Sequence, residues 1–359
     1  MTLFLASVLL GILPMTLYAF LVWRVDRWEK EPWPLLFAAF VWGFLPSAIF
    51  AIIAQTILGL PVEMSGEPTL MSELYQASFL APVTEELIKG LGVFLVMRLF
   101  ARQVDSVLDG MIYGGMVGFG FSAIENILYF VGMPDPASLA ALFFFRALVF
   151  GFLHAMFTGL IGIGFALGKF TKVPAMRFLW PLLGLGAAMF THALHNYFAT
   201  IGGATILYAV AGCATGMLFF LVLIGVCLYH ENRWIRIHLS PEVDAGVLFP
   251  QQAIDAASFG KRTSLTALSL GFRASRQRHR LLHAATRLAY KKRQRERFGE
   301  EWRPGLAGEI ERWRAEVRRL SREDPLVVSG KIASGGRLPP PLPPTRSIPP
   351  PLPTQRSAS

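Results

Sequence analysis

The sequence predicts an all-α, polytopic transmembrane helical bundle of about seven spans, with the N-terminus outside and a cytoplasmic C-terminal tail. Three observations support this fold class. Hydrophobic residues make up 53% of the 359 positions, long apolar runs recur as far as His230, and most of the basic residues follow that position. Apolar runs of about 20 residues are long enough to cross a bilayer as helices.

The apolar runs define the expected spans. The first is expected to be a retained helix rather than a signal peptide, because no Lys or Arg precedes it and it is too long for the apolar region of a signal. The seven predicted spans are residues 2–23, 34–58, 75–99, 108–131, 142–167, 178–199 and 205–229.

The loops between these spans predict the orientation of the chain. The first, third and fifth loops contain Lys or Arg, whereas the second, fourth and sixth contain neither. Basic loops face the cytoplasm, so the alternation puts the N-terminus outside and the tail inside. That arrangement requires an odd number of spans, in agreement with the hydropathy count.

Charge divides the chain into three predicted domains. Up to His230 there are 10 Lys and Arg against 12 Asp and Glu, and after it 24 against 12, so the net charge of +10 originates in the tail. Residues 1–230 form the predicted transmembrane domain. Residues 231–337 form a basic, partly helical cytoplasmic tail, with two helices broken near Pro304. Residues 338–359 form a proline-rich tail that we expect to be disordered.

The tail suggests two partners. A basic segment tethered beside a membrane favours anionic lipid over nucleic acid, and no nucleic-acid partner is expected. The PPPLPP and PPPLP motifs could bind a polyproline-binding domain, although a simply solvated tail is the more common case. The basic residues of the expected helices are Arg273, Arg276, Arg278, Arg280, Lys291, Lys292, Arg293, Arg295 and Arg297.

Four predicted spans contain ionisable or amide side chains near their middle. A charged residue there costs about 2.5–3.5 kcal/mol on insertion scales, so it is retained with a partner and usually for function. The third span contains Glu85, Glu86 and Lys89, the fourth Glu125 and Asn126, the fifth Arg146 and His154, and the sixth His192, His195 and Asn196.

Helical spacing predicts that these groups form one cluster. Lys89 can pair with either glutamate, at i,i+3 or i,i+4, and the two glutamates point about 100° apart, so we expect them to have different roles. Arg146 and His154, eight residues apart, should share a face of the fifth span. Counted from the outer ends of their helices, the groups lie about 8–18 Å deep, which predicts a single layer in the outer half of the bilayer.

Such a cluster supports hydrolysis or ion movement. Peptide hydrolysis needs an activated water, a proton source and donors for the oxyanion, and either a buried carboxylate or a zinc ion can activate water. The HExxH and GxSxG motifs of other hydrolases are missing from the sequence. A proton- or ion-coupled transporter remains the alternative, and a scaffold whose working part is the tail is a third hypothesis.

The motifs themselves resemble those of a known family. EELIK from Glu85, FSAIEN ending at Asn126, FLHAMF around His154 and HALHN from His192 are similar to motifs of the PrsW family of intramembrane proteases. They resemble more distantly the CAAX prenyl protease and bacteriocin-processing superfamily. Residues 26–34, DRWEKEPWP, also resemble the first loop of the PrsW family, and the resemblance covers about residues 20–200.

The resemblance implies a peptidase that cuts a membrane-anchored protein near the extracytoplasmic side. An anti-sigma factor, cleaved in site-1-type regulated proteolysis, is the substrate class it suggests. It implies either zinc, bound by His154, His192 and Glu125, or a metal-free glutamate mechanism. In the resulting hypothesis Glu86 or Glu85 activates water, the histidines assist or bind metal, Asn196 stabilises the oxyanion and Lys89 tunes the glutamates. The implied catalytic residues are Glu85, Glu86, Lys89, Glu125, His154, His192 and Asn196.

Overall fold

The computed structural model describes residues 2–25, 28, 30–63, 67, 69–101, 103–258, 271–302 and 304–330. The described residues form helices and no strands, which confirms the all-α prediction for this part of the chain. The proline-rich segment 338–359 and three residues of the first-loop motif, Asp26, Arg27 and Glu29, lie outside it. The chain divides into two compact units, Met1–Glu231 and Asn232–Ser359.

Helices α1 to α10 belong wholly or partly to the first unit. Three of the predicted spans contain a π-helical turn, at Gly43–Ser47, Gln76–Leu80 and Phe144–Val149. The helices are α1 (Thr2–Val25), α2 (Trp33–Trp42), α3 (Ala48–Glu63), α4 (Leu70–Tyr75), α5 (Ala81–Leu99), α6 (Val107–Val131), α7 (Pro136–Phe143), α8 (Leu153–Phe170), α9 (Met176–Ile201) and α10 (Ile206–Asp244).

Five helical stretches are long and apolar enough to cross a membrane: Leu3–Val25, Trp33–Pro61, Val107–Val131, Pro136–Phe170 and Gly203–Asp244. The other two predicted spans, 75–99 and 178–199, are also helical. They contain the charged residues of α5 and the histidines of α9, which make them less apolar. The polytopic fold is thus supported, whereas the count of seven spans stays a prediction.

The predicted fifth span, 142–167, is not one continuous helix. Phe150 has φ −103° and ψ 2°, which ends the π-helical turn, and α8 begins at Leu153. Arg146 and His154 therefore lie on two helical segments and not on one continuous helix, although both side chains contact Glu125 Oε2.

Helix α6 packs against α8 through a row of glycines. Gly110, Gly114 and Gly118 recur every four residues, and a Cβ atom on each would lie 2.3 Å from a backbone oxygen of α8. Those oxygens belong to Gly162, Thr158 and His154. Only glycine permits such close backbone approach between membrane helices. The contact fixes α6 against the beginning of α8, where His154 lies.

The second unit has its own buried ion pairs. Arg278 is buried and donates to Asp324 Oδ2 at 2.6 Å, and it also pairs with Asp255. Lys292 donates to Glu242 Oε1 at 2.7 Å. Arg278 and Lys292 are therefore engaged within the unit, and the interaction of this segment with lipid stays a prediction that rests on exposed residues such as Arg273.

The helices of the second unit include the two expected on either side of Pro304. After the end of α10 come α11 (Pro250–Ala257), α12 (Phe272–Trp302), α13 (Leu306–Arg322) and α14 (Pro325–Val328). Helix α12 is kinked at Gly299, whose φ of 76° lies in the left-handed region.

Candidate active site

Helix α5 contributes two carboxylates and the cation between them. Glu86 and Lys89 are completely buried, and Glu85 is 6% exposed. Lys89 Nζ donates to Glu86 Oε1 at 2.7 Å and to Glu85 Oε2 at 3.3 Å. The ammonium also lies 3.9 Å from the centre of the Phe121 ring on α6, a favourable cation–π distance. The lysine therefore offsets the charge of two carboxylates that burial would otherwise penalise.

The two glutamates have different surroundings. Glu86 Oε1 accepts from Lys89 and from His192 Nδ1 at 3.0 Å, and its Oε2 accepts a long bond of 3.4 Å from Thr158 Oγ1. Glu85 Oε1 accepts instead from Gln55 Nε2 at 3.2 Å. Glu86 thus bonds to residues of α8 and α9, whereas Glu85 bonds to a residue of α3.

His154 connects this pair to Glu125. Lys89 Nζ donates to His154 Nδ1 at 3.2 Å, and His154 Nε2 donates to Glu125 Oε2 at 2.8 Å. An ammonium group can only donate, so we assign the imidazole proton to Nε2 and the lone pair to Nδ1. The lone pair of His154 therefore faces the ammonium of Lys89, which connects it to the two glutamates of α5.

Glu125 lies on the far side of the His154 ring. Its Oε2 also accepts from Arg146 Nη2 at 2.6 Å. Arg146 and His154 are consequently brought together by Glu125 rather than by helical spacing. The metal ligand set suggested by the motifs included Glu125, but the structure gives this carboxylate the position of a partner that orients His154.

His192 is buried beside His154. Its ring is stacked on Phe157 with centroids 4.8 Å apart, and it stands nearly perpendicular to the His154 ring at 5.1 Å. Because Nδ1 donates to Glu86, the lone pair of His192 is on Nε2, which lies 4.0 Å from Glu85 Oε2. His192 Nε2 has no hydrogen-bond partner among the described residues.

Asn196 anchors α9. Its Nδ2 donates to the backbone oxygen of Ala77, in the π-helical turn before α5, at 2.7 Å. The neighbouring His195 packs against Phe150 with ring centroids 4.8 Å apart. One amide hydrogen of Asn196 is therefore used in a bond that connects α9 to the π-helical turn before α5.

A cavity of about 240 Å³ opens beside the cluster. The charged residues of α5 are not among the described residues that line this cavity. They lie next to the two histidines, which separate them from it. These residues are Glu85, Glu86 and Lys89. Of the residues singled out in the sequence, those that line it are Glu125, Asn126, Arg146, His154, His192, His195 and Asn196.

The cluster has the donors of a zinc site but a lysine at its centre. Four buried residues each offer one ligand atom, and these four atoms lie within 4.8 Å of one another. The residues are Glu85, Glu86, His154 and His192. Imidazole and carboxylate groups are common zinc ligands. Lys89 Nζ, however, lies within 3.3 Å of three of the four residues. A metal ion bound by all four would have to displace this ammonium, which has no lone pair to offer.

Sequence reasoning overlooked Gln55 and Thr158. Both are polar residues within predicted apolar spans, and Thr158 follows His154 by one helical turn. The same criterion that identified Glu85 and His154 could have identified them, had hydroxyl and amide side chains been included for every span.

Comparison with known proteins gives a consistent result. A model described as the PrsW family intramembrane metalloprotease matches residues 31–227. The protein named Protease PrsW from Geobacillus kaustophilus (strain HTA426) is 26% identical over 172 residues, which cover 48% of this chain and 70% of that protein. Protease PrsW from Bacillus subtilis (strain 168) is 25% identical over 175 residues, covering 49% and 74%.

A third relative is more similar over a shorter region. Protease PrsW from Clostridioides difficile (strain 630) is 30% identical over 122 residues, 34% of this chain and 49% of that protein. No solved structure shows significant similarity to the chain. The resemblance inferred from the four motifs is confirmed.

Proposed function

Because this chain belongs to the PrsW family of intramembrane metalloproteases it is a membrane peptidase, and we propose that it hydrolyses a peptide bond of a membrane-anchored protein near the extracytoplasmic side. The observation that carries the proposal is the hydrogen bond of 3.0 Å from His192 Nδ1 to Glu86 Oε1, within a buried cluster beside a polar cavity.

Glu86 and His192 are proposed to activate the water together. The carboxylate holds the Nδ1 proton, which keeps the Nε2 lone pair free to accept a proton from a water in the cavity. The negative charge of Glu86 then stabilises the imidazolium that forms. Lys89 limits the charge of the glutamate pair, and Thr158 helps to orient Glu86.

His154 is proposed to support His192, whose ring lies beside its own. Glu125 orients its ring through the 2.8 Å bond from Nε2, and Arg146 in turn fixes Glu125. With Nδ1 accepting from Lys89 and Nε2 donating to Glu125, His154 holds its ring beside His192, and the proton that His192 takes from water goes on to the leaving amine. Zinc held by Glu85, Glu86, His154 and His192 would require Lys89 to move away, and it would supply an acidified water and polarise the carbonyl.

A second, apolar cavity supports a membrane-anchored substrate. It measures about 560 Å³ and lies between α8, α9 and α10. Leu153, Phe157 and His195 line both this cavity and the polar one, so an apolar segment bound between these helices would lie next to the histidines. An anti-sigma factor with a single span is the candidate substrate class, and the loop charges favour cleavage in the outer half of the bilayer.

The experiment compares membranes of cells that contain the wild-type chain or Glu86→Gln. Mass spectrometry of protein N-termini should find new ends in membrane proteins with the wild type only. With purified protein, the variant should cleave about 10²–10⁴-fold more slowly, because general base catalysis contributes that much and the His192 base loses the carboxylate that stabilises its imidazolium. Glu73→Gln makes the same change on an exposed surface of α4 and should behave as wild type.

Full cleavage by Glu86→Gln would contradict the assigned chemistry. Proton or ion flux in vesicles, lost in the same variant without any change in N-termini, would favour the transporter alternative instead.

A further inference from the structure

We propose that the side-chain amide of Asn126 donates a hydrogen bond to the carbonyl oxygen of the peptide bond being hydrolysed. This inference rests on the proposed peptidase site and adds a substrate-binding group to it. It starts from one buried donor. Asn126 is completely buried, and its Nδ2 has no hydrogen-bond partner among the described residues.

A buried amide donor without a partner is unfavourable for folding, and such groups call for an explanation. Asn126 lines the polar cavity together with His154 and His192. A substrate that entered this cavity would bring backbone carbonyl oxygens, which are the acceptors that the unpaired Nδ2 hydrogens lack. The unpaired donor thus belongs to a residue that lines the cavity in which the peptide bond is expected.

The orientation of the amide is fixed. Asn126 Oδ1 accepts from Arg146 Nε at 3.1 Å. A guanidinium can only donate, so the atom facing Arg146 must be the amide oxygen and the other must be the nitrogen. Arg146 is itself held by Glu125 at 2.6 Å and by the Tyr129 ring at 3.8 Å. One guanidinium therefore positions both Glu125, the partner of His154, and Asn126.

Asn126 suits this role better than Asn196, the oxyanion donor suggested by the motifs. Nδ2 of Asn196 already donates to the Ala77 oxygen at 2.7 Å. The two hydrogens of Asn126 Nδ2 have no such commitment. A donor that is fixed in advance and unpaired in the free enzyme stabilises developing charge without reorganisation, which is the basis of oxyanion stabilisation.

In the proposed hydrolysis the water oxygen bonds to the carbonyl carbon, and one water proton passes to the Glu86–His192 pair. The carbonyl π electrons move onto the oxygen, which accepts the Asn126 hydrogen bond. When the carbon–nitrogen bond breaks, the oxygen re-forms its double bond, and His192 passes the proton that it took from water to the leaving amine.

The test uses the full-length protein in detergent and two variants. The probe is an internally quenched synthetic peptide that spans the cleavage site mapped in wild-type membranes. Asn126→Ala removes the donor and the acceptor for Arg146. Asn126→Asp keeps the acceptor and the shape but removes the donor. We expect both to lower kcat by about 10²–10³-fold, as the loss of one oxyanion donor does, with KM unchanged.

A structural role gives a different result. If Asn126 only anchors Arg146, Asp should restore activity, because its carboxylate accepts from Arg146 at least as well. Ser47→Ala is the control. Ser47 is also completely buried, and its hydroxyl has no partner in the part of the chain that the structure describes, but Ser47 does not line the polar cavity. That variant should cleave as wild type.

A second measurement separates contact with the carbonyl from indirect effects. A probe with a thioamide at the cleaved bond has sulfur, a weaker acceptor, in place of the carbonyl oxygen. The ratio of amide to thioamide rates should be large for the wild type and should shrink in Asn126→Ala. Provided that Glu86→Gln is inactive, either of two results would overturn the proposal. One is an unchanged ratio of amide to thioamide rates in Asn126→Ala, and the other is wild-type kcat in Asn126→Asp. If Glu86→Gln is active as well, the proposed function itself fails.

Discussion

Lys89 Nζ lies 3.2 Å from His154 Nδ1, so the positive charge of a buried lysine faces the lone pair of a candidate catalytic histidine. The same ammonium bonds to both glutamates of α5. The centre of the acidic and imidazole groups is thereby occupied by a cation that belongs to the protein. Four predictions follow from this arrangement and from the packing that supports it.

Removing the lysine should expose its competition with metal. In Lys89→Met the two carboxylates lose their buried partner, and breaking a buried ion pair typically costs about 3–5 kcal/mol. Zinc should then bind more tightly than to the wild type and restore part of the lost thermal stability. Zinc titration followed by calorimetry, with and without a chelator, measures both effects. If the wild type binds zinc stoichiometrically and Lys89→Met does not, then Lys89 assists zinc binding and the prediction is wrong.

Glu125 should matter through His154. Glu125→Gln keeps an acceptor for His154 Nε2 but removes the charge, so activity should fall about 10–100-fold, the usual effect of changing a group that orients a ligand or base. The melting temperature should fall as well, though less than in Lys89→Met, because Arg146 loses its charged partner in an ion pair that is only partly buried. Activity is measured with the mapped substrate. A loss as large as that of Glu86→Gln would mean that Glu125 acts directly on the substrate or a metal.

The glycine row of α6 should be intolerant of side chains. A Cβ at position 118 would lie 2.3 Å from the His154 backbone oxygen. Gly118→Ala should therefore separate the helices, destabilise the protein by about 1–3 kcal/mol as overpacking does, and displace His154. Gly186→Ala is the matched control, since its added methyl would meet no described atom within 4 Å. Thermal unfolding and cleavage rates measure the two effects, and equal stability of both variants would contradict the packing.

The apolar cavity should select membrane segments. Gly212 lines it, and the space beside its Cα is open. Gly212→Leu should fill part of the cavity and lower kcat/KM for the membrane-anchored substrate, while a short peptide that contains only the cleavage site is cut as before. Gly225→Leu, on the same helix and also facing open space, should affect neither substrate. Equal loss for both substrates would assign the cavity a structural role.

Much of this protein follows from local sequence. Apolar runs predicted where the helices lie, because transfer of a segment to the membrane depends on its own composition. Rare charged residues within those runs identified Glu85, Glu86, Lys89, Glu125, His154 and His192, because such residues are too costly to keep without a partner. The four motifs identified the family, which the comparisons then confirmed.

The pairing of these residues required the tertiary structure. Hydrogen bonds between helices depend on the rotation of each helix and on how closely its neighbours approach, and both are determined by packing. The glycines of α6 bring its backbone against α8, and the break at Phe150 detaches Arg146 from the helix that begins at Leu153. Only then is Glu125 seen to orient His154, Lys89 to lie at the centre of the cluster and Asn126 to keep an unpaired donor beside it.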